Sequence, residues 1–186
     1  VLDEGAPLLP LSPYALSKMI QDLSGFQYAR SYNLALVRTR AFNHTGPRRP
    51  TLYAEADFAA QIAAIERGAE PVIRVGNLEA LRDFTDVRDV VRGYWMAVNQ
   101  GVPGEVYNLC SGAGRRIGEV LDGLLALSTV RPRLEQQTTR LRPADPEVLV
   151  GDCSRFASLT GWQPEIPFEK TLSDILREQR ALADFR

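Results

Sequence analysis

Between residues 13 and 31 apolar side chains return every three or four positions, at Leu16, Met19, Ile20, Leu23 and Phe26. That spacing predicts an amphipathic helix. Ser12 is placed to cap it, Pro13 sits where a missing N–H costs nothing, and Asn33 ends it. The period then changes. "LALVRTRAF" (34–42) predicts a buried strand, and the polar "NHTGPRRP" (43–50) the loop at its carboxyl end. Helical spacing resumes over 54–67 through Phe58, Ile62 and Ile65, and stops at Gly68. "PVIRVG" (71–76) predicts a short strand, "NLEALRDF" (77–84) a polar connection, and residues 86–99 a helix capped by Asp86. "GEVYNLC" (104–110) predicts a strand, "SGAGRR" (111–116) a turn, and 117–128 a further helix. "RLRPADPEV" (140–148) reads as a proline-stiffened loop, and helices near 153–160 and 168–182 follow.

Strands alternating with helices predict an α/β fold. The alternation thins after residue 50, where loops lengthen and gain proline and arginine. A boundary is expected there, between one sheet layer and a smaller lobe.

Composition narrows the function classes. The chain has 186 residues, of which 45% are hydrophobic and 24% charged, enough for one sizeable core. A net charge of −1 argues against a nucleic-acid partner or a polybasic membrane surface. No apolar run approaches the roughly 20 residues that span a bilayer. Cys110 and Cys153 form no metal-ligand pattern and His44 is the single histidine, so no metal site is expected. Residues 1–11 hold two acids and no basic region, so no secretory leader is expected and the chain reads as cytoplasmic. It opens on Val1 in a turn-rich stretch, as a purified domain or a gene fragment would.

"SPYALSK" (12–18) puts Tyr14 and Lys18 four residues apart, hence on one helix face. An ammonium beside a phenol favours the phenolate, and such a phenol can exchange a proton with a carbonyl or carbinol carbon. Arginines such as Arg82 and Arg142 suit a diphosphate, and a carboxylate such as Asp145 suits a vicinal diol. Taken alone, Tyr14 and Lys18 are a helix surface pair, His44 a loop histidine bonded to backbone, and Arg82 a partner of Asp83, Asp86 or Asp89.

"SPYALSK" resembles the active-site helix of the extended short-chain dehydrogenase/reductases, the NAD-dependent epimerase/dehydratase family. "RTRAFNHTGPRR", "VGNLEALRDFTDVRDVVRGYW", "GEVYNLCSG", "RLRPADPEV" and "GWQPEIPFEKTL" follow in the family's order and cover nearly the whole chain. The resemblance is closest to the branch acting on GDP-mannose derivatives. It implies the C-terminal part of a Rossmann-like doubly wound sheet over 1–50, carrying the Tyr-x-x-x-Lys helix, and a mixed α/β nucleotide-sugar lobe over 51–186. It implies Tyr14 as the catalytic acid/base and Lys18 as the residue that tunes it and bonds the nicotinamide ribose. His44 and Arg49 match cofactor contacts. Asn43, Arg82, Arg142 and Asp145 match contacts to a nucleotide sugar, a GDP-hexose. The cofactor is NADP or NAD, and a homodimer or larger species is expected.

No Gly-x-x-Gly-x-x-Gly run occurs; "GAG" at 112–114 lacks the third glycine, and "SG" is expected merely to turn the chain. The expectation is therefore a C-terminal fragment, inactive by itself, of an NAD(P)-dependent GDP-sugar enzyme acting at hexose C4. "FNHTGP" favours a GDP-4-dehydro-6-deoxy-mannose reductase, whereas "PRR" resembles the 4,6-dehydratase. A nucleotide-sugar 4-epimerase and a non-catalytic binding remnant are the alternatives.

Overall fold

The computed structural model describes residues 1–140 and 146–184. Helix α1 (Pro13–Tyr32) starts where Ser12 Oγ accepts from Ala15 N, and ends at Asn33 in the left-handed region at φ 53°. It leads into β1 (Arg38–Ala41) and β2 (Asn43–Thr45). Next come α2 (Ala54–Glu66), β3 (Val72–Val75), β4 (Leu81–Asp86) and α3 (Val87–Gln100). The second half holds β5 (Val106–Leu109), β6 (Gly114–Arg116), α4 (Ile117–Ala126) and β7 (Arg133–Gln136). A 3-10 turn (Thr138–Arg140), β8 (Val148–Leu149), α5 (Ser154–Thr160) and α6 (Phe168–Asp184) complete the chain.

Among the described residues the strands form three small sheets. β1 runs parallel to β5, with Arg38 opposite Val106 and Ala41 opposite Leu109. β4 is central to the second: β6 lies antiparallel along one edge, and β8 and then β2 lie parallel along the other. β3 and β7 form a parallel pair. This is an α/β, Rossmann-like parallel arrangement with an additional mixed lobe.

Two apolar clusters hold it together. The larger packs α2, α4 and α6 around β3 and β4 through Phe58, Ile62, Ile73, Leu124, Leu172 and Ile175, and Phe168 stacks on Phe84 at 5.5 Å. The smaller packs α3 and α5 on the β1–β5 sheet through Val90, Ala97, Tyr107, Leu109, Phe156 and Trp162, with Val37 and Ala41 alongside. Trp162 is fully buried, and its indole N–H donates to Asp89 O at 3.1 Å. Gly151 passes so close to Phe42 and Cys110 that a Cβ there would lie 2.6 Å from each. Among the described residues no helix is long and apolar enough to cross a membrane.

Four expectations need correction. The strand expected over 34–42 begins only at Arg38, because its partner β5 turns away at Gly104, whose N–H bonds Leu36 O. Asn43, His44 and Thr45, expected in a loop, form β2 because β4 offers them a ladder. The polar connection over 77–84 contains most of β4, a strand buried from Arg82 to Asp86. The turn over 111–116 contains β6, paired with β4. The loop expected over 140–148 lies largely outside the described residues.

Candidate active site

Helix α1 runs antiparallel to β1, and its contacts give the register. Gly25 lies against Leu36 and Arg38. One turn earlier, Asp22 accepts from Arg38 Nη1 at 3.2 Å and from Arg40 Nη2 at 2.8 Å. Moving toward the start of α1 thus means moving toward the carboxyl end of β1. Lys18 and Tyr14, one and two turns further on, stand toward that end. There the chain passes into Asn43 and His44. The carboxyl ends of parallel strands are where open α/β sheets take ligands.

Tyr14 and Lys18 share one face as their spacing requires. Lys18 Nζ lies 5.8 Å from the centre of the Tyr14 ring and bonds Gln21 Oε1 at 3.1 Å. Both are exposed, Tyr14 to 71%. The apolar stripe behind them is exposed too, at Leu16, Ile20, Leu23 and Phe26, and Ala29 alone of the helix is buried.

Asn43 pairs with Phe84 across β2 and β4, and Arg82 precedes Phe84 by two residues. Strand alternation therefore places Asn43 and Arg82 on the same face of adjacent strands. Arg82 is 6% exposed, and its Nη1 donates to Leu81 O at 2.8 Å and Glu147 O at 3.4 Å. His44 pairs with Thr85, so it belongs to the opposite face, and its Nδ1 lies 3.1 Å from Phe42 O. Arg49 turns toward α2: its Nε is 3.4 Å from the buried Glu55 carboxylate and its guanidinium stacks 3.4 Å above the Tyr53 ring. Arg142 and Asp145 lie outside the described residues. Thus Tyr14 with Lys18, and Asn43 with Arg82, are brought together, while His44 and Arg49 point elsewhere.

The aspartates of "RDFTDVRD" bind other donors than a surface reading would assign. Asp83, with no exposed surface, accepts from Ser111 N at 2.8 Å, Ser111 Oγ at 2.6 Å, Gly112 N at 2.9 Å and Gly151 N at 3.2 Å. It therefore ties the turn after β5 and the chain after β8 to the strand bearing Arg82. The "SG" turn is a turn as expected, with Gly112 at φ 75°, and Asp83 is what holds it. Asp86 caps α3 through Arg88 N and also accepts from the Arg88 guanidinium and Thr171 Oγ1. Burial alone would raise its pKa, but these bonds hold it below the usual carboxylate range. Asp89 accepts from Arg92 and from the amides of Glu165 and Ile166.

Tyr94 on α3 went unnoticed in the sequence. Burial first, and then Tyr14, pushes its phenol above the ordinary value, so the two rings are electrostatic neighbours. It lines a cavity of about 280 Å³ with Val37, Thr39 and Val98, beside β1. The signal available was its i, i+4 relation to Val90 and Val98, which reads simply as helix amphipathicity.

Residues 1–175 match the family model of GDP-mannose 4,6 dehydratase. The GDP-6-deoxy-D-mannose reductase of Pseudomonas aeruginosa is 33% identical over 91% of this chain and 56% of its own length. GDP-mannose 4,6 dehydratase 2 of Arabidopsis thaliana is 31% identical over 97% of this chain and 48% of its own. Among solved structures, RMD from Pseudomonas aeruginosa complexed with NADPH superposes with a TM-score of 0.90 at 31% identity, covering 96% of this chain and 60% of that one. UDP-glucose 4-epimerase of Thermotoga maritima with UDP-glucose gives 0.83 at 25% identity, covering 98% and 58%. The chain spans about half the length of the curated relatives it matches.

Proposed function

The chain belongs to the GDP-mannose 4,6 dehydratase family, and on that premise we propose that it supplies the catalytic helix and the nucleotide-sugar side of an NAD(P)-dependent GDP-hexose oxidoreductase. The observation that carries this reading is the pairing of Tyr14 and Lys18 on the exposed opening turns of α1, toward the end of β1 that leads into Asn43. Of the branch members we favour the GDP-4-dehydro-6-deoxy-mannose reductase, on "FNHTGP".

The donor set fits the nicotinamide-ribose end of the cofactor. Lys18 offers three N–H donors on the same face as an exposed phenol, suited to a ribose diol. When bound, NAD(P)H supplies the hydride that reaches C4 of the sugar. Tyr14 Oη then delivers a proton to the oxygen of that carbon, turning the carbonyl into a carbinol. In the dehydratase direction it takes the proton of the C4 hydroxyl instead. Arg82 would grip the diphosphate, its guanidinium oriented by the bonds that Nη1 donates to the Leu81 and Glu147 carbonyls, with Asn43 beside it. Arg142 and Asp145 would hold phosphate and nucleotide ribose. His44 and Arg49 would face the cofactor only after leaving the partners described above. The pyrophosphate cradle we assign to residues outside this sequence, which has no glycine-rich loop of that spacing.

Calorimetric titration of the 186-residue chain tests the reading. GDP-mannose should bind saturably, and Arg82→Ala should weaken it at least about tenfold, the loss of charge-assisted bonds. NADPH should bind roughly a thousandfold more weakly than to a complete site. In an enzyme joining this sequence to a glycine-rich cofactor half, Tyr14→Phe should lower turnover by about 10² to 10⁴. Failure of the chain to bind any GDP-sugar would overturn the proposal.

A further inference from the structure

A second cavity, of about 610 Å³, opens between the segment after β2 and the outer faces of α2 and α6. Ala60 and Ala64 of α2 and Leu182 of α6 give it an apolar floor. Its polar lining presents side-chain donors that no described residue engages. Gln179 is only 8% exposed, yet its side-chain amide makes no hydrogen bond to any described residue. Its polar atoms are not among the buried, unpartnered ones of the described residues, so what little of Gln179 is exposed opens its amide onto the cavity. Arg48 and Arg67, both exposed, stand at the same cavity; neither guanidinium is within ion-pair distance of a described carboxylate, although Arg67 lies near enough to Glu66 to help lower its pKa after Arg180 and Ser128.

Arg48 is held in place by backbone. It sits in the left-handed region at φ 68°, which a residue with a side chain avoids. Its N–H donates to Glu178 Oε2 at 2.5 Å, tying the segment to α6. The neighbouring Arg49 also borders the cavity, but its guanidinium is turned to Glu55 and the Tyr53 ring. Arg67 follows the end of α2, where a cation also complements the helix dipole. That effect accounts for Arg67 alone; it does not explain the left-handed backbone of Arg48 or the Gln179 amide turned to the cavity.

We propose that this cavity is a binding site for a phosphorylated, hydroxyl-bearing small molecule of sugar-phosphate type. Two guanidiniums would take the phosphate, as planar forked donors do. The Gln179 amide, able to donate and accept, would read a sugar hydroxyl, with Glu178 as a second acceptor. The volume lies within the range of small-molecule sites. The proposal does not depend on Tyr14, Lys18 or Arg82, although Arg49, matched above to the cofactor, also borders this cavity.

Calorimetry at low salt with mannose 1-phosphate, inorganic phosphate and mannose tests it. Mannose 1-phosphate should saturate with a Kd of about 0.1–1 mM, inorganic phosphate should bind roughly tenfold more weakly, and mannose should give no heat. Arg67→Ala should weaken mannose 1-phosphate at least about tenfold. Arg48→Gly, which suits the local φ and keeps the backbone tie, should do the same. Gln179→Leu should abolish the preference for the sugar phosphate over inorganic phosphate while leaving the melting temperature unchanged or raised. Arg82→Ala should bind mannose 1-phosphate as the parent does. Absence of saturation up to about 10 mM, far above the expected Kd, overturns the proposal. So does binding lost in Arg82→Ala but kept in Arg67→Ala, which would assign it to the other site. A lowered melting temperature in Gln179→Leu would make that amide structural and overturn its role.

Discussion

Replacing Asp83 should be among the most damaging changes in the molecule. Its carboxylate is buried and accepts three backbone N–H bonds and one hydroxyl bond, from Ser111, Gly112 and Gly151. In Asp83→Ala the donors at Ser111 and Gly112 border solvent, so water can replace much of what they lose. The Gly151 N–H is buried and has no such substitute, since Phe42 and Cys110 press against that residue. With about 1 kcal/mol for each of the three exchanged bonds and about 2 for the orphaned amide, the loss comes to about 5 kcal/mol. Asp83→Asn should cost about half of that: rotated so that its NH₂ meets Ser111 Oγ, which can accept, it keeps an oxygen for Gly112 and Gly151. The assay is urea unfolding followed by fluorescence of the buried Trp162, with the exposed Trp95 as background. At a slope of about 2 kcal/mol per molar urea, the Ala variant should unfold about 2.5 M earlier. A shift below about 0.5 M with an unchanged slope would refute the idea that this carboxylate is a junction of three chain segments.

Other outcomes follow from the same geometry. Asp86 has its folded pKa below the unfolded one, so its stabilisation is fully present above the unfolded value of about 4 and is lost as pH falls through the folded value; Asp86→Asn should cost about 1.5–3 kcal/mol at pH 7, and the gap between its denaturant midpoint and the parent's should narrow progressively as pH is lowered below about 4, whereas a gap that stays constant on acidification would refute the assignment. Cys110 and Cys153 are free thiols; that of Cys110 is fully buried and pushed up by its hydrogen bond with Cys153 and by burial, while the same hydrogen bond lowers Cys153; iodoacetamide should label Cys153 first, and mass spectrometry showing Cys110 labelled as fast would contradict this. The exposed Leu16, Ile20, Leu23 and Phe26 on α1, with β1 laddered to β5 alone among the described strands, should make the chain self-associate. A stable 20.7 kDa monomer by light scattering at micromolar concentration would contradict that.

The parts of this protein legible in its sequence are those whose causes are local. The helices announced themselves because apolar spacing and caps lie within a few residues: Ser12 reaches Ala15, and Asp86 reaches Arg88. Tyr14 and Lys18 were readable as a pair for the same reason, since four residues of helix suffice to align them. Strands depend on a neighbour the sequence does not show. "LALV" has strand character but no ladder, because its partner turns at Gly104, while the polar "NHT" and "GRR" become strands because β4 lies beside them. β4 itself was hidden by its charges. Arg82, Asp83 and Asp86 can be buried there only because donors and acceptors 28 to 85 residues away meet them. The cavity of Arg48, Arg67 and Gln179 draws on segments more than a hundred residues apart, which only the packing of α2 on α6 brings together. Backbone propensity acts over one or two turns of chain; burial, and the polar partners it demands, acts across the whole molecule.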